Sequence, residues 1–411
     1  MARGGICPPR AVHSREYRRK TESQKGPMGI SVTYMAEGAM VMINKERVTQ
    51  TFMDYVRIDS ETHFEKAMTE RLVADLKALG LDVYTDKAGE MPGVDSDGAN
   101  IYCYIEGDPN YDAILFSSHM DTVTPGKGVD PYIEDGYIRS RGNTILGADD
   151  KSGVAAIMEA VRTLVETGVP HRPVEIIFTI REEGGLNGSA NLEYERIRSK
   201  YGVVLDSSND VGKLVTSAPG QMRLYADIYG KMAHAGSDPE KGISAIQVAA
   251  VAVSRMKLQR IDWETTANIG TLSCIGATNV VQDHVTFAAE TRSKNQEKLQ
   301  AQCDHMVQCL QDACNTFGAR LEYRVVNSYK SYALADEHPH VQLLMQKCRE
   351  MGLEPWTTYT GGGTDGNHFN AHGIETAVLA CGMEMEHTTD EQIKIKNLED
   401  VSQLVLNIMR I

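Results

Sequence analysis

Short apolar runs recur along this chain, and each gives way at its end to glycine, carboxylate or imidazole groups. Residues 113–118, 174–179, 201–205 and 376–380 are runs of this kind, and residues 100–105 add another. Their length and β-branched content read as strands. Between them, apolar residues fall at helical spacing over residues 45–57, 65–79, 153–165 and 340–351, with Met68, Leu72, Leu76 and Leu79 on one face of the second. Asp135 and Gly136, between short extended runs, mark a hairpin turn. Strands that alternate with helices in this way build a sheet with helices on both faces.

From about Ser217 the rhythm changes. Met222, Leu224, Ala226 and Ile228 alternate as in a strand with one buried face. A helix over 243–258, strands over 268–274 and 284–290, a long helix over 295–317 and a strand over 321–326 complete a β-α-β-β-α-β order, the ferredoxin-like plan. The expected fold is an α/β domain with a mixed central sheet, residues 43–216 and 330–411, interrupted by a smaller inserted domain, residues 217–329.

With 411 residues the chain is long enough for two such cores. A formal charge of −14 argues against a nucleic-acid partner, because phosphate binding needs clustered Lys and Arg. No apolar run of about 18 residues exists to span a membrane. The eight cysteines form no CxxC pair, so a thiolate metal site is not indicated, and unpaired cysteines in a chain of this size fit a reducing cytoplasm. Residues 1–42 stand apart. Arg3, Arg10, Arg15, Arg18, Arg19, Lys20 and Lys25 crowd the start with no apolar segment behind them, so a secretory signal is not expected. We expect a basic, disordered extension or an over-long reading frame, with translation starting at Met40 or Met42; the N-terminal peptide of the native protein would decide.

The chemistry gathers where strands end. His119 and Asp121 close the run 113–118, and a spacing of two puts both on one face if the strand continues. Ligand sites of open α/β sheets lie at that edge, and an aspartate there can take the second N–H of the imidazole and orient it toward a metal. Asp149 and Asp150 sit in a glycine-bounded turn before a helix, Glu182 and Glu183 follow the run 174–179, Asp206 follows 201–205, and His387 comes after 376–380. Taken singly, each reads equally well as a helix cap, a solvated loop or a surface ion pair. Together they place imidazole and carboxylate groups on one edge of one domain, a donor set that suits zinc, with manganese or cobalt also fitting. Three carboxylates and a hydroxide would balance two divalent ions, which points to a pair.

Five motifs in order, HMDTV from His119, GADDKSG from Gly147, REEG from Arg181, GKMAHAG from Gly230 and GGTDG from Gly362, resemble the dizinc aminopeptidase family that contains peptidase T, aminoacylases and related carboxypeptidases. The resemblance runs from about residue 44 to the end and is nearest to peptidase T-like enzymes. It implies two divalent metal ions: Asp149 bridges them, Glu183 and His387 complete one site, and His119 and Asp206 complete the other. It makes Asp121 the partner of His119 and Glu182 the general base that takes a proton from a metal-activated water and returns it to the leaving nitrogen. On the substrate side it implies His234, Asn279, Arg292 and Gly362, with the inserted domain serving as lid and homodimer contact. The implied activity is hydrolysis of a small peptide. An N-acyl-amino-acid amidohydrolase or carboxypeptidase with the same chemistry is the alternative, and a non-catalytic metal-binding protein is the remote one. Arg181, Ala235 and Ser207–Ser208 depart from the aminotripeptidase pattern; none removes a ligand, but they bear on substrate length. Gly361–Gly366 also matches GxGxxG, yet the interval before the run 376–380 is too short for the crossover helix of a dinucleotide site.

Overall fold

The computed structural model describes Met1 and residues 41–411; the expectation for the basic extension falls on residues outside these. A nine-stranded mixed sheet forms the centre of the molecule. Its spatial order is Val83–Thr85, Ile101–Ile105, Val174–Thr179, Ile114–His119, Tyr201–Ser207, Glu375–Ala380, Lys213–Ala218 and Tyr332–Ala333, with Trp356–Tyr359 also paired to Lys213–Ala218. Ile114–His119, Val174–Thr179, Tyr201–Ser207 and Glu375–Ala380 run parallel, Phe116 standing between Ile176 and Val203. Every residue of the first two is buried, as expected of parallel strands covered on both faces.

One face is covered by the helix Ala148–Thr167, against which Lys45–Val56 and Ile395–Met409 pack. On the other, Phe369 of the helix Asp365–Ala371 joins Leu115, Ile177, Val204 and Val378 in a common apolar cluster. The helix expected over 153–165 begins earlier, at Ala148. Asp149 and Asp150 nevertheless keep non-helical dihedral angles, so the turn read in the sequence survives as an irregular first turn.

After Ala218 the chain leaves the central sheet. It builds a second, five-stranded antiparallel sheet in the order Gln259–Arg260, Thr265–Ser273, His284–Ser293, Gly220–Tyr229 and Arg320–Tyr329, and rejoins the first at Tyr332. The helices Ala245–Arg255 and Gln296–Phe317 cover one face of it, burying Leu224, Ala226, Ile228, Val285 and Phe287. The change of rhythm placed at Ser217 comes slightly later, because Lys213–Ala218 still pairs within the central sheet. A small third sheet joins Met383–Glu384, Gln392–Lys394, Tyr137–Arg141 and Asp130–Glu134. The Asp130–Arg141 hairpin turns at Asp135 and Gly136, both at positive φ, as its two-residue loop demands. Among the described residues no helix is long and apolar enough to cross a membrane.

Candidate metal centre

Because four strands run parallel, their C-terminal ends share one edge, and the polar groups after them meet there. His119 is the last residue of its strand and is buried. Its Nε2 lies 3.1 Å from Asp149 Oδ1 and 3.7 Å from Asp206 Oδ1. The other oxygen of Asp149, Oδ2, lies 3.1 Å from His387 Nε2, which is in turn 2.7 Å from Glu183 Oε1. Donor atoms of His119, Asp149 and Asp206 form one group close enough to hold an ion, and those of Asp149, Glu183 and His387 form a second. Asp149 belongs to both and offers a different oxygen to each imidazole. Two ligands of a tetrahedral zinc ion, each ~2.0–2.1 Å from it, are ~3.3 Å apart, so most of these separations match those around a bound ion.

The charges agree. Burial works against the imidazolium of His119, yet the carboxylates of Asp121, Asp149 and Asp206 outweigh it and hold its pKa well above the usual value. Asp149 and Glu183 raise His387 to about 10. Burial, followed by the charge of Asp149, lifts Asp206 to about 7. The cluster draws positive charge to itself, as a cation site must.

Glu182 shares no group with Asp149; with His119 and Glu183 it forms a third group whose donor atoms lie within 4.8 Å of one another. Burial, together with Asp206, pushes its pKa well above that of an ordinary glutamate. A carboxylate of this kind beside a cation site is poised to accept and return a proton. Its placement depends on Asp121. The sequence suggested that Asp121 orients His119 through its carboxylate; that carboxylate stands 3.6 Å from His119 Nδ1, and the backbone carbonyl of Asp121 is nearer, at 2.8 Å. That carboxylate accepts hydrogen bonds from the backbone N–H groups of Glu182 (2.9 Å) and Glu183 (3.2 Å) and from the Thr62 hydroxyl (2.7 Å). The strand had already ended at His119, so the chain turns and Asp121 faces the next loop.

Two further carboxylates escaped the sequence reading. Glu391 is buried and accepts hydrogen bonds from the backbone N–H groups of Leu146, Gly147 and Asp149 at 2.7–2.9 Å. Four residues after His387, it ties the loop carrying that histidine to the one carrying Asp149. Glu65, also buried, accepts from Arg181 N at 3.2 Å and fixes the start of the Glu182–Glu183 turn. An acidic residue four positions past a candidate ligand was visible for Glu391; nothing marked Glu65.

The remaining expected residues lie elsewhere. Arg292 ends a strand of the second sheet and approaches the Gly361 carbonyl, next to Gly362, at 3.5 Å. His234 and Asn279 are both exposed, linked by the bond from Ala235 N to Asn279 O, and neither belongs to the ligand groups.

Residues 115–410 match Peptidase family M20/M25/M40. The chain belongs to this family. Aminopeptidase PepT from Bacillus cereus ATCC 10987 is 43% identical, with 90% of this chain and 98% of that one covered and a TM-score of 0.82. A tripeptidase from Staphylococcus aureus subsp. aureus Mu50 is 40% identical over 90% and 98% of the two chains, with a TM-score of 0.85. Protein YqjE of Bacillus subtilis (strain 168) is 40% identical over 90% of this chain and 99% of its own. As an M20/M25/M40 member of the peptidase T-like kind, the chain is a metallopeptidase, a hydrolase of peptides, and the strand-end cluster is where its residues could hold metal.

Proposed function

We propose that the chain is a co-catalytic dimetal exopeptidase that removes a residue from a di- or tripeptide. The observation that carries this reading is Asp149, whose two oxygens face two different imidazoles at 3.1 Å each. His119 and Asp206 would hold one ion, Glu183 and His387 the other, with Asp149 between them; zinc suits this donor set best, and manganese or cobalt would fit. When bound, the ions supply an acidified water and polarisation of the scissile carbonyl. Glu182 would accept a proton from the attacking water and return it to the nitrogen as the C–N bond breaks. Asp121 keeps Glu182 in place through the backbone.

Residues 217–329 are read as a lid and homodimerisation domain. The exposure of His234 and Asn279, away from the ligands of their own chain, supports a role for them at a partner's site, and the neighbouring Ile275 and Met232 are 95% and 62% exposed. Arg292 and Gly362 would line the substrate side. The seven described cysteines are all free, which supports a reducing, cytoplasmic setting.

Metal analysis after loading with zinc, manganese or cobalt, followed by turnover of tripeptides, dipeptides and acetylated amino acids, tests the reading. Two ions per chain and cleavage of free peptides are expected. Turnover of acylated amino acids alone would make the enzyme an amidohydrolase, and a single ion per chain would count against a shared Asp149.

A further inference from the structure

The parallel strands have a second edge, at their N-terminal ends, opposite the edge that carries the metal centre. A cavity of about 290 Å³ opens there, close to the lower end of the ~300–1,000 Å³ range of ligand sites. Asp112 lies just before the strand Ile114–His119, Arg172 just before Val174–Thr179, and Tyr201 starts the strand Tyr201–Ser207. Pro339, His340 and Leu343, at the start of the helix Pro339–Glu350, close the other side.

Two polar groups of this wall lack the partners that burial calls for. The guanidinium of Arg172 makes no ion pair or hydrogen bond with any described residue, and its Nε is buried. Burial lowers its pKa against the influence of Tyr111 and Asp112, while Asp112 forms its own loose ion pair with Lys200, at 3.7 Å. His340 is 3% exposed. Its Nε2 lies 2.8 Å from the Gly202 carbonyl; a carbonyl only accepts, so Nε2 carries the proton and Nδ1 is a bare acceptor. Nδ1 has no hydrogen-bond partner among the described residues. Burial holds the pKa of this ring down to about 4, which keeps it neutral near pH 7, and it stacks on Tyr201 with centroids 5.2 Å apart. A cation without a counter-charge and a buried acceptor without a donor both destabilise the free chain. One ligand with a carboxylate and an N–H donor satisfies the two together.

We propose that this cavity is a binding site for a free α-amino acid. The carboxylate pairs with the guanidinium of Arg172, which can hold it with two parallel hydrogen bonds. The ammonium turns to Asp112 and donates to His340 Nδ1, and an apolar side chain lies against Leu343, Pro339 and the Tyr201 ring. The charge pattern selects the class. One unmatched guanidinium with a carboxylate nearby suits a zwitterion, whereas a phosphate dianion would meet Asp112 with a single free cation to offset it. The strand Ile114–His119 separates this cavity from the metal centre by its own length, about 20 Å. The inference therefore does not rest on the dimetal reading, although amino acids are products expected of that chemistry.

The test is titration calorimetry of the zinc-loaded chain with leucine, leucinamide, 4-methylpentanoate and inorganic phosphate. The wild type, Arg172→Gln, Asp112→Asn and Leu343→Trp are compared, with the thermal stability of each recorded. The wild type should bind leucine more tightly than leucinamide, which lacks the carboxylate, and than 4-methylpentanoate, which lacks the ammonium. Arg172→Gln should weaken leucine about 10- to 100-fold, as for loss of a charged hydrogen bond. Asp112→Asn should weaken leucine and leave 4-methylpentanoate unchanged. Leu343→Trp fills the cavity without altering its charges and should abolish binding of both, while its turnover of peptides matches the wild type. If Arg172→Gln does not fold, the other two variants decide. Leucine binding that survives Leu343→Trp would lie at the metal centre and overturn the proposal. Phosphate bound more tightly than leucine, or no leucine binding at millimolar concentration, would overturn it too, and each of these outcomes leaves the peptidase reading standing.

Discussion

Two carboxylates at neighbouring positions, Glu182 and Glu183, show how place divides labour between identical side chains. Glu183 turns to His387 at 2.7 Å and shares a ligand group with Asp149, while Glu182 shares none with Asp149 and has a pKa raised by burial. Removing each function should therefore give a different loss. Glu182→Ala should retain its metal, read by elemental analysis, yet lose turnover by ~10²–10⁴-fold, the usual contribution of a general base; near-wild-type activity would end the proton-transfer role. Asp149→Ala removes both oxygens that face the imidazoles and should release metal, with activity falling because the centre is lost. A variant that still carried two ions per chain would show that Asp149 does not bridge. The residue types for this chemistry were legible, since carboxylates and histidines recur after apolar runs. Their partners were not. That Asp121 would grip the amides of Glu182 and Glu183 depends on the chain turning after His119, which a spacing of two residues does not reveal.

At the scale of elements, the fully apolar strands and long amphipathic helices were readable because burial writes a period into the sequence. Segments whose placement depends on distant partners were missed. Lys213–Ala218 is a strand because Glu375–Ala380 and Trp356–Tyr359 flank it from far along the chain. The seven-residue helix Asp365–Ala371 begins with polar groups that serve as its cap, Thr364 and Asn367 bonding each other's backbone, so it shows little apolar period. The C-terminal helix Ile395–Met409, by contrast, has Leu398, Val401 and Val405 at helical spacing and could have been found. Loop placement is the least legible and the most consequential for the centre. The loop of His387 hangs between the paired strands Met383–Glu384 and Gln392–Lys394, and Glu391 fastens it to the loop of Asp149. Glu391→Gln puts an amide N–H₂ toward backbone N–H donors. It should loosen both loops and weaken metal binding about 10- to 100-fold, the range seen when supporting partners of metal ligands are changed. A competition titration against a chelator measures this directly. Unchanged affinity would mean that the strands alone position the loop.

For the molecule as a whole, assembling this cluster has a cost that metal offsets, and the balance depends on pH. In the metal-free chain, burial and the charge of Asp149 raise Asp206 from 3.8 to about 7, against the hydrogen bond from His119. Hydrogen bonds to Asp149 and Glu183 raise His387 from 6.5 to about 10. Both shifts are upward, so the folded chain binds more protons than the unfolded one over pH 3.8 to about 7 for Asp206 and pH 6.5 to about 10 for His387. The stability contributed by these two groups rises as pH falls through those windows. Metal binding needs the same groups deprotonated, so stabilisation by metal runs the other way. The melting temperatures of zinc-loaded and chelator-stripped protein should accordingly be farthest apart at about pH 9 and converge toward about pH 6, as linkage requires. Scanning calorimetry on both forms across that range reads the gap, and His387→Ala should flatten its slope by removing one of the two titrating groups. A gap that stays constant with pH would place the stabilising metal away from Asp206 and His387, whatever residues then held it.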